Sequence, residues 1–185
     1  MIKKFDGEHA FLSNFALSPI DIDHEVDLMT LWMNEDKDIA YYNGFYGSLL
    51  GKDKVRALLE KWNEGPFMFS IVNKETNAFM GHISMFNMGH HELYTTMGIY
   101  IGQEYRGNGY GKEAIQLVVD YLFQTQRYEA IQLQVFGYNK KAYEVYKRIG
   151  FKECGRYHKA LYHESKYHDM ILMELLKEVE EEKRK

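Results

Sequence analysis

A glycine-rich turn between a strand-like run and a helix-like run constrains this chain more than any other feature. After the apolar run that contains Ile99, glycines stand at alternate positions 107, 109 and 111, and apolar residues at helical spacing follow directly. Glycine lets the backbone adopt positive φ and approach a ligand closely, and the amides at a helix N-terminus attract anions. The segment therefore predicts a cradle for a diphosphate group, with Arg106 adding positive charge. An ordinary glycine-rich turn is the alternative.

Two better-known phosphate cradles are excluded by their spacing. A P-loop requires glycine at the position of Arg106 and serine or threonine at the position of Glu113. The dinucleotide-binding fingerprint requires the spacing G-x-G-x-x-G, whereas the three glycines here are evenly spaced. The cradle hypothesis therefore needs a different class of phosphate-binding loop.

Apolar periodicity predicts an α/β fold. Two helices are expected first, at 23–34 and 53–62, with Asp23 and Asp53 as their N-caps and with Val26, Met29 and Met33 on one buried face. The later predicted elements are strands at 67–72, 78–86 and 94–101, a helix at 109–124, a strand at 130–136, a helix at 140–149 ended by Gly150, and a terminal hairpin of strands at 151–162 and 167–175. Because hairpins flank a region where strands and helices alternate, the sheet is expected to be mixed.

Composition limits the class of protein and its compartment. The formal net charge of −4 argues against nucleic acid as a partner, because nucleic-acid-binding proteins usually present a basic face. No apolar run approaches the roughly 20 residues that a membrane-spanning helix needs, so no membrane partner is expected. The N-terminal residues also lack the apolar run of a secretion signal. Cys154 is the single cysteine, which fits a reducing compartment, and a cytoplasmic location is expected.

Two motifs in the expected order resemble the signatures of the GNAT superfamily of N-acetyltransferases. The first, Q/R-x-x-G-x-G/A, is satisfied within residues 98–114 by Arg106, Gly109 and Gly111. The second, N-x-x-A-x-x-x-Y-x-x-x-G-F, is matched by residues 139–151. Residues 168–173 are similar to the final strand of the ribosomal-protein and polyamine N-acetyltransferase branches.

The resemblance implies a fold and a domain arrangement. It implies a mixed, mostly antiparallel sheet with flanking helices, in which the strand before the glycine loop splays from its parallel neighbour and opens a slot for the cofactor. One acetyltransferase domain is expected at 1–176, followed by a charged tail at 177–185. No metal is implied, and a homodimer is an assembly that the sequence leaves open.

The resemblance also implies acetyl-CoA as the acyl donor and assigns residues to it. Backbone groups of Ile99 and Ile101 would bind the pantetheine arm, and Asn139 would hydrogen-bond the same arm. A helix N-cap is the alternative role for Asn139, and both roles are compatible. Backbone amides would bind the pyrophosphate from Arg106, Gly107, Asn108, Gly109, Tyr110 and Gly111.

Acyl transfer to an amine needs a proton acceptor and a group that stabilises the departing thiolate. An alkylamine has a pKa near ~10, so it arrives protonated and must first lose a proton. Tyr146 matches the family's tyrosine for the thiolate, with packing of a helix face as the alternative. The family's usual glutamate base is replaced by Thr96, which cannot act as a base at neutral pH. Glu92 is the catalytic candidate that remains, directly or through water, beside His91; a polar loop between strands is the alternative for both.

The acceptor is expected to be a primary amine, such as a small polyamine-like amine or a protein N-terminus. In relatives that resemble this chain, the connection at 41–46 helps to shape the acceptor pocket, and Glu35, Asp36 and Asp38 precede it. Acidic and aromatic groups would suit a cationic amine, although a solvated charged turn is the alternative. The run 163–168 resembles the zinc motif H-E-x-x-H, but its second histidine is one place too far. A sensor that binds acyl-CoA without turnover is the alternative function.

Overall fold

The computed structural model describes residues 15–42, 48–64, 67–86 and 93–178. Its elements, in chain order, are β1 (Phe15–Ser18), α1 (Ile22–Glu35), α2 (Lys37–Tyr42), α3 (Lys52–Asn63), β2 (Met68–Asn73), β3 (Phe79–Phe86), β4 (Tyr94–Ile101), a 3-10 helix (Gln103–Tyr105), α4 (Tyr110–Thr125), β5 (Ala130–Phe136), α5 (Lys140–Ile149), β6 (Lys152–His163) and β7 (Lys166–Leu176). The predicted α/β class is confirmed. Three elements were not predicted: β1, α2 and the 3-10 helix.

The strands form a seven-stranded sheet in the order β1-β2-β3-β4-β5-β7-β6. Pairing is antiparallel between β1 and β2, β2 and β3, β5 and β7, and β6 and β7, whereas β4 and β5 are parallel. The parallel pairing runs from Tyr94–Ala130 to Thr96–Gln132, although β5 continues to Phe136. The mixed, mostly antiparallel sheet with one parallel pair is therefore confirmed.

The first of two compact units comprises residues 1–84 and 99–114. Its core forms where α1 and α3 bury their apolar faces together with Phe79 of β3. Val26, Met29 and Met33 are all buried, as their spacing predicts. Each such side chain contributes about 1.5–3 kcal/mol when it is removed from water. Trp32 stacks on Phe79 with ring centroids 5.2 Å apart.

The two predicted helix caps are wrong by two residues each. Asp21 caps α1, because its Oδ1 accepts the N–H of His24 at 3.2 Å, whereas Asp23 lies in the first turn. Gly51 caps α3 without a side-chain hydrogen bond, and Asp53 lies in the first turn. Aspartate is favoured both at a cap and in the first turn, where it faces the positive end of the helix dipole. The sequence alone therefore does not distinguish the two positions.

The second compact unit comprises residues 85–98 and 115–185. Helix α5 ends at Gly150, whose φ of 123° is the backbone conformation for which a glycine was predicted there. The β6–β7 hairpin turns through Glu164 and Ser165, with φ of 49° and 60°. Positive φ at both central residues is the geometry of a type I′ turn, which matches the twist of paired strands. The histidine-containing run 163–168 therefore lies on a hairpin, as predicted.

Among the described residues, none of the helices is long and apolar enough to cross a membrane.

Candidate active site

The glycine loop has the backbone conformation that its sequence predicts. Gly107 has φ of 84° and Gly109 has φ of 89°, a region that residues with a side chain rarely adopt. A Cβ on Gly109 would come no closer than 3.7 Å to Glu113, and one on Gly107 would meet nothing within 4 Å. Conformation rather than crowding therefore requires glycine at these two positions.

The loop presents a row of N–H groups at the start of a helix. Helix α4 begins at Tyr110, and its first turn closes when the N–H of Glu113 donates to Gly109 O at 3.1 Å. Within the described part of the chain, the N–H groups of residues 107–111 have no protein acceptor. Unpaired amides at a helix N-terminus, next to a glycine-rich turn, form an anion site. This arrangement fits the diphosphate of acetyl-CoA.

Arg106 is held by protein groups at both its backbone and its side chain. Its N–H donates to Gln103 O at 3.3 Å, and its Nε donates to Ile101 O at 2.8 Å. Its Nη2 donates to Asp36 Oδ2 at 2.5 Å. The guanidinium therefore fixes the start of the loop against the end of α1, and Asp36 offsets part of its charge. Binding of the cofactor by Arg106 stays a prediction.

Asp36 has a structural role that the sequence did not indicate. It is only 8% exposed, and besides its ion pair with Arg106 it accepts hydrogen bonds from the N–H groups of Asp38 and Ile39. Its carboxylate thereby begins α2. The predicted use of this carboxylate for a cationic acceptor competes with these three contacts, and the solvated turn offered as the alternative does not describe a buried side chain.

The predicted cofactor residues on β4 lie in the same compact unit as the loop. Ile99 and Ile101 belong to the second half of β4, and both side chains are half-buried. The carbonyl of Ile101 accepts the Arg106 side chain, so one of its two lone pairs is in use. Contacts of these two residues with a pantetheine arm stay predictions.

Asn139 and Tyr146 lie on the second signature, at the start and in the interior of α5. Asn139 is the N-cap, since its Oδ1 accepts the N–H of Ala142 at 3.1 Å, and this confirms the alternative role stated for it. Its side-chain amide remains compatible with a ligand. Tyr146 is 9% exposed and packs edge-on against Phe151, with centroids 6.1 Å apart. It has the expected packing role, and its catalytic role stays a prediction.

The other proposed catalytic residue, Glu92, lies outside the described residues, as does His91. Thr96, which stands where the family's base is expected, is half-buried on β4 and pairs with Gln132 of β5. Of the predicted acceptor region 41–46, residues 43–46 lie outside the described residues. Within the described part of the chain, no group of three or more His, Cys, Asp or Glu side chains could hold a metal ion.

A buried polar network in the first compact unit was not predicted from the sequence. Glu25 of α1 and His82 of β3 are each 1% exposed, and His82 Nε2 lies 2.7 Å from Glu25 Oε2. On its other side, His82 Nδ1 hydrogen-bonds the hydroxyl of Tyr100 on β4. Glu25 Oε1 accepts the hydroxyl of Ser70 at 2.5 Å and the N–H of Asp21 at 2.9 Å.

Two signals in the sequence could have revealed this network. Glu25 stands one turn before Met29 on the apolar face of α1, and His82 interrupts a mostly apolar buried strand. Polar groups at core positions need partners, because a buried polar group without a hydrogen bond is costly. Burial lowers the pKa of His82 below its ordinary value of 6.5, although its hydrogen bond with Glu25 opposes that shift. The imidazole is therefore neutral at neutral pH.

Comparisons with known proteins agree on one family. The acetyltransferase (GNAT) domain family matches residues 14–152. The SPbeta prophage-derived uncharacterized N-acetyltransferase YokL of Bacillus subtilis strain 168 is 26% identical over 121 residues, which is 64% of this chain and 67% of that protein.

Solved structures share the fold of this chain. A GNAT-family acetyltransferase from Bacillus anthracis has a TM-score of 0.76 at 19% identity, covering 90% of this chain and 96% of that one. A spermidine N-acetyltransferase from Vibrio cholerae in complex with CoA and spermine has a TM-score of 0.77 at 20% identity, covering 90% and 97%. At these identities the solved structures show the fold alone.

Proposed function

Since this chain belongs to the GNAT family of acetyltransferases, we propose that it transfers an acetyl group from acetyl-CoA to a primary amine by direct attack. The observation that carries the proposal is the glycine loop, in which the N–H groups of residues 107–111 have no protein acceptor in the described part of the chain and stand at the N-terminus of α4. Two phosphates carry the negative charge that such a site attracts. Acetyl-CoA supplies an activated thioester, and the chain supplies orientation and proton transfer.

Each residue role answers a need of the reaction that acetyl-CoA and the amine do not meet by themselves. The amine must lose a proton, for which Glu92 is the proposed base, directly or through water. The departing thiolate needs a donor, and the Tyr146 hydroxyl is proposed to provide one. The oxyanion that develops on the acetyl carbonyl needs an N–H group, which we assign to the backbone of β4. Asn139 would hold the pantetheine arm through the side-chain amide that its capping role leaves available.

A polyamine-like amine is the acceptor class that we favour. The fold neighbour from Vibrio cholerae is a spermidine N-acetyltransferase in complex with spermine. The net charge of −4 on this chain also favours attraction of a polycation. A protein N-terminus is the second acceptor class. We further propose a cytoplasmic location, where acetyl-CoA and a reduced Cys154 coexist.

An amine screen with a matched pair of variants tests the function. Polyamines and N-terminal peptides are incubated with acetyl-CoA, and thiol release is measured together with the acetylated product. Tyr146→Phe should lower kcat roughly 10²-fold or more, while affinity for acetyl-CoA barely changes. Tyr143→Phe is the control, because it lies on the same helix and its hydroxyl contacts the exposed Glu153 at 3.4 Å.

Two results would count against this proposal. A folded wild type that acetylates no amine would favour the acyl-CoA sensor, an alternative that rests on Thr96 standing where a carboxylate is expected. Equal kcat for the Tyr146 and Tyr143 variants would leave Tyr146 with a packing role only, and the thiolate would then have no assigned donor.

A further inference from the structure

We propose that Tyr100, His82 and Glu25 form a proton relay that deprotonates the acceptor amine. In this relay, the Tyr100 oxygen takes the amine proton while its own proton passes to His82, and Glu25 stabilises the imidazolium that results. The proposal rests on the proposed function and replaces Glu92 with this relay as the base.

The contacts form an unbroken line through the first compact unit. Tyr100 OH meets His82 Nδ1, and His82 Nε2 lies 2.7 Å from Glu25 Oε2. Gly81 lets strands β3 and β4 approach closely at this point, since a Cβ there would overlap the carbonyl of Tyr100. That close approach brings the two rings together, with centroids 5.3 Å apart.

The hydrogen-bond partners fix the direction of the line. Glu25 accepts from the Ser70 hydroxyl and the Asp21 N–H, and a carboxylate can only accept, so His82 donates from Nε2. In a neutral imidazole the other nitrogen then carries a lone pair, to which Tyr100 donates. The hydroxyl also lies 2.6 Å from Met29 Sδ, but a thioether is a weak acceptor. The low pKa that burial gives His82 keeps this lone pair available at neutral pH.

The transfer balances in bonds and in charge. One N–H bond of the ammonium group breaks as an O–H bond forms on Tyr100, and the original O–H bond breaks as an N–H bond forms on His82 Nδ1. The new imidazolium faces the Glu25 carboxylate, so the buried pair changes from a net negative charge to neutrality. After acetyl transfer, the reverse movement through Tyr100 returns the proton to water.

Position distinguishes Tyr100 from its two partners. Glu25 and His82 are each 1% exposed, whereas the Tyr100 side chain is half-buried and packs against the core cluster. It stands on β4, the strand that also carries Thr96 where the family's base is expected. Tyr100 also lies between Ile99 and Ile101, the residues predicted to bind the pantetheine arm.

The surroundings of His82 offer few other proton acceptors. Glu25 faces it from α1, Ser70 reaches the same carboxylate from β2, and Tyr100 faces it from β4. The remaining ring contact of His82 in the described chain is apolar, with Phe79. Further out, Glu104 accepts from Trp32, which packs edge-on to Tyr100.

A purely structural role accounts for this network less well than a catalytic role does. Replacing a buried ionisable pair with apolar side chains of similar volume is often neutral or stabilising, so stability alone gives little reason for one. Buried ionisable groups with perturbed pKa values concentrate at functional sites. Here the pair also hydrogen-bonds the hydroxyl of Tyr100, whose side chain is half-buried.

Rate profiles against pH test the relay in the full chain. Tyr100→Phe keeps the ring and removes the hydroxyl, so kcat/KM should fall about 10²-fold near neutral pH. The gap should close as pH approaches the amine's pKa near ~10, because neutral amine no longer needs a base. His82→Gln should show the same pH-dependent loss. Tyr105→Phe, on the same core cluster, is the control and should behave as wild type.

Several outcomes would overturn the relay. One is a normal kcat/KM for Tyr100→Phe, and another is a loss of equal size at every pH, which indicates a structural role. If Tyr100→Phe does not fold, His82→Gln carries the same decision. If kcat/KM at neutral pH falls for Glu92→Gln and not for the Tyr100 and His82 variants, the base is Glu92 instead. A wild type that acetylates no amine would refute the proposed function and the relay together, whereas an active wild type with normal variants would refute the relay alone.

Discussion

Two carboxylates on α1 should differ greatly in their effect on stability. Glu25 is 1% exposed and accepts from His82, Ser70 and the N–H of Asp21. Asp27, on the same helix, pairs with Lys52 at 2.7 Å, and its side chain is 73% exposed. Replacing each with alanine changes helix propensity in the same direction, so the comparison isolates the contacts.

The magnitudes follow from burial. Each buried donor that is left without an acceptor costs about 1–3 kcal/mol, and Glu25→Ala leaves two, on His82 and Ser70, so the expected loss is about 2–6 kcal/mol. An exposed ion pair contributes about 0–1 kcal/mol, since water screens it and competes for it. One kcal/mol shifts Tm by about 2–4 °C for a chain of this size. Glu25→Ala should therefore lower Tm by about 4–24 °C, and Asp27→Ala by at most about 4 °C.

Urea unfolding and thermal melts of both variants measure the difference. Glu25→Gln belongs in the series, because its amide oxygen retains an acceptor, and it should fall between wild type and Glu25→Ala. If the two alanine variants lie within about 1 kcal/mol of each other, then the Glu25 network contributes no more than a surface contact. The reasoning about its burial would then be refuted.

Three further predictions concern the same compact unit. A Cβ on Gly102 would overlap the ring of Trp32, so Gly102→Ala should cost roughly 1–3 kcal/mol in thermal unfolding; an unchanged Tm would contradict that packing. Asp36→Asn should lower the free energy of unfolding by about 1.5–3 kcal/mol, because it removes the charged partner of Arg106. The prediction fails if added salt lowers the stability of the wild type by the same amount. Because burial lowers the pKa of His82, the unfolded chain binds its proton more readily, and stability should fall as pH drops below 6.5. His82→Gln should flatten that slope in urea titrations, and an identical slope would disprove the assignment.

The elements predicted best are those whose signals are local. Strands β4 and β5 and helix α5 have the bounds that the sequence predicts, since glycine, asparagine and a change of apolar period mark their ends. Helix α2 was missed because it is short and begins at a buried aspartate whose partner, Arg106, is distant in sequence. Strand β1 has only four residues, too few for a periodic pattern.

The candidate site divides in the same way. The glycine loop is a local motif, so its backbone conformation could be predicted from Gly107 and Gly109 alone. The network of Glu25, His82 and Tyr100 could not be predicted, because α1, β3 and β4 bring together residues that are far apart in the sequence. The contact of Arg106 with Asp36 could not be predicted from the sequence either. A positive charge next to a phosphate loop suggests a ligand contact, but here it is shared with a buried carboxylate.

The glycine loop as an acetyl-CoA site is the central claim, and ligand-dependent unfolding tests it most directly. At a hundredfold excess over Kd, acetyl-CoA should stabilise the protein by about 2.7 kcal/mol, which corresponds to about 5–11 °C in Tm. Gly109→Val should remove this shift, because valine disfavours the φ of 89° that the loop adopts at this position. Gly51→Ala, at an ordinary φ of −73° with open space around it, should keep the shift. A wild-type Tm that does not change with saturating acetyl-CoA would contradict the account.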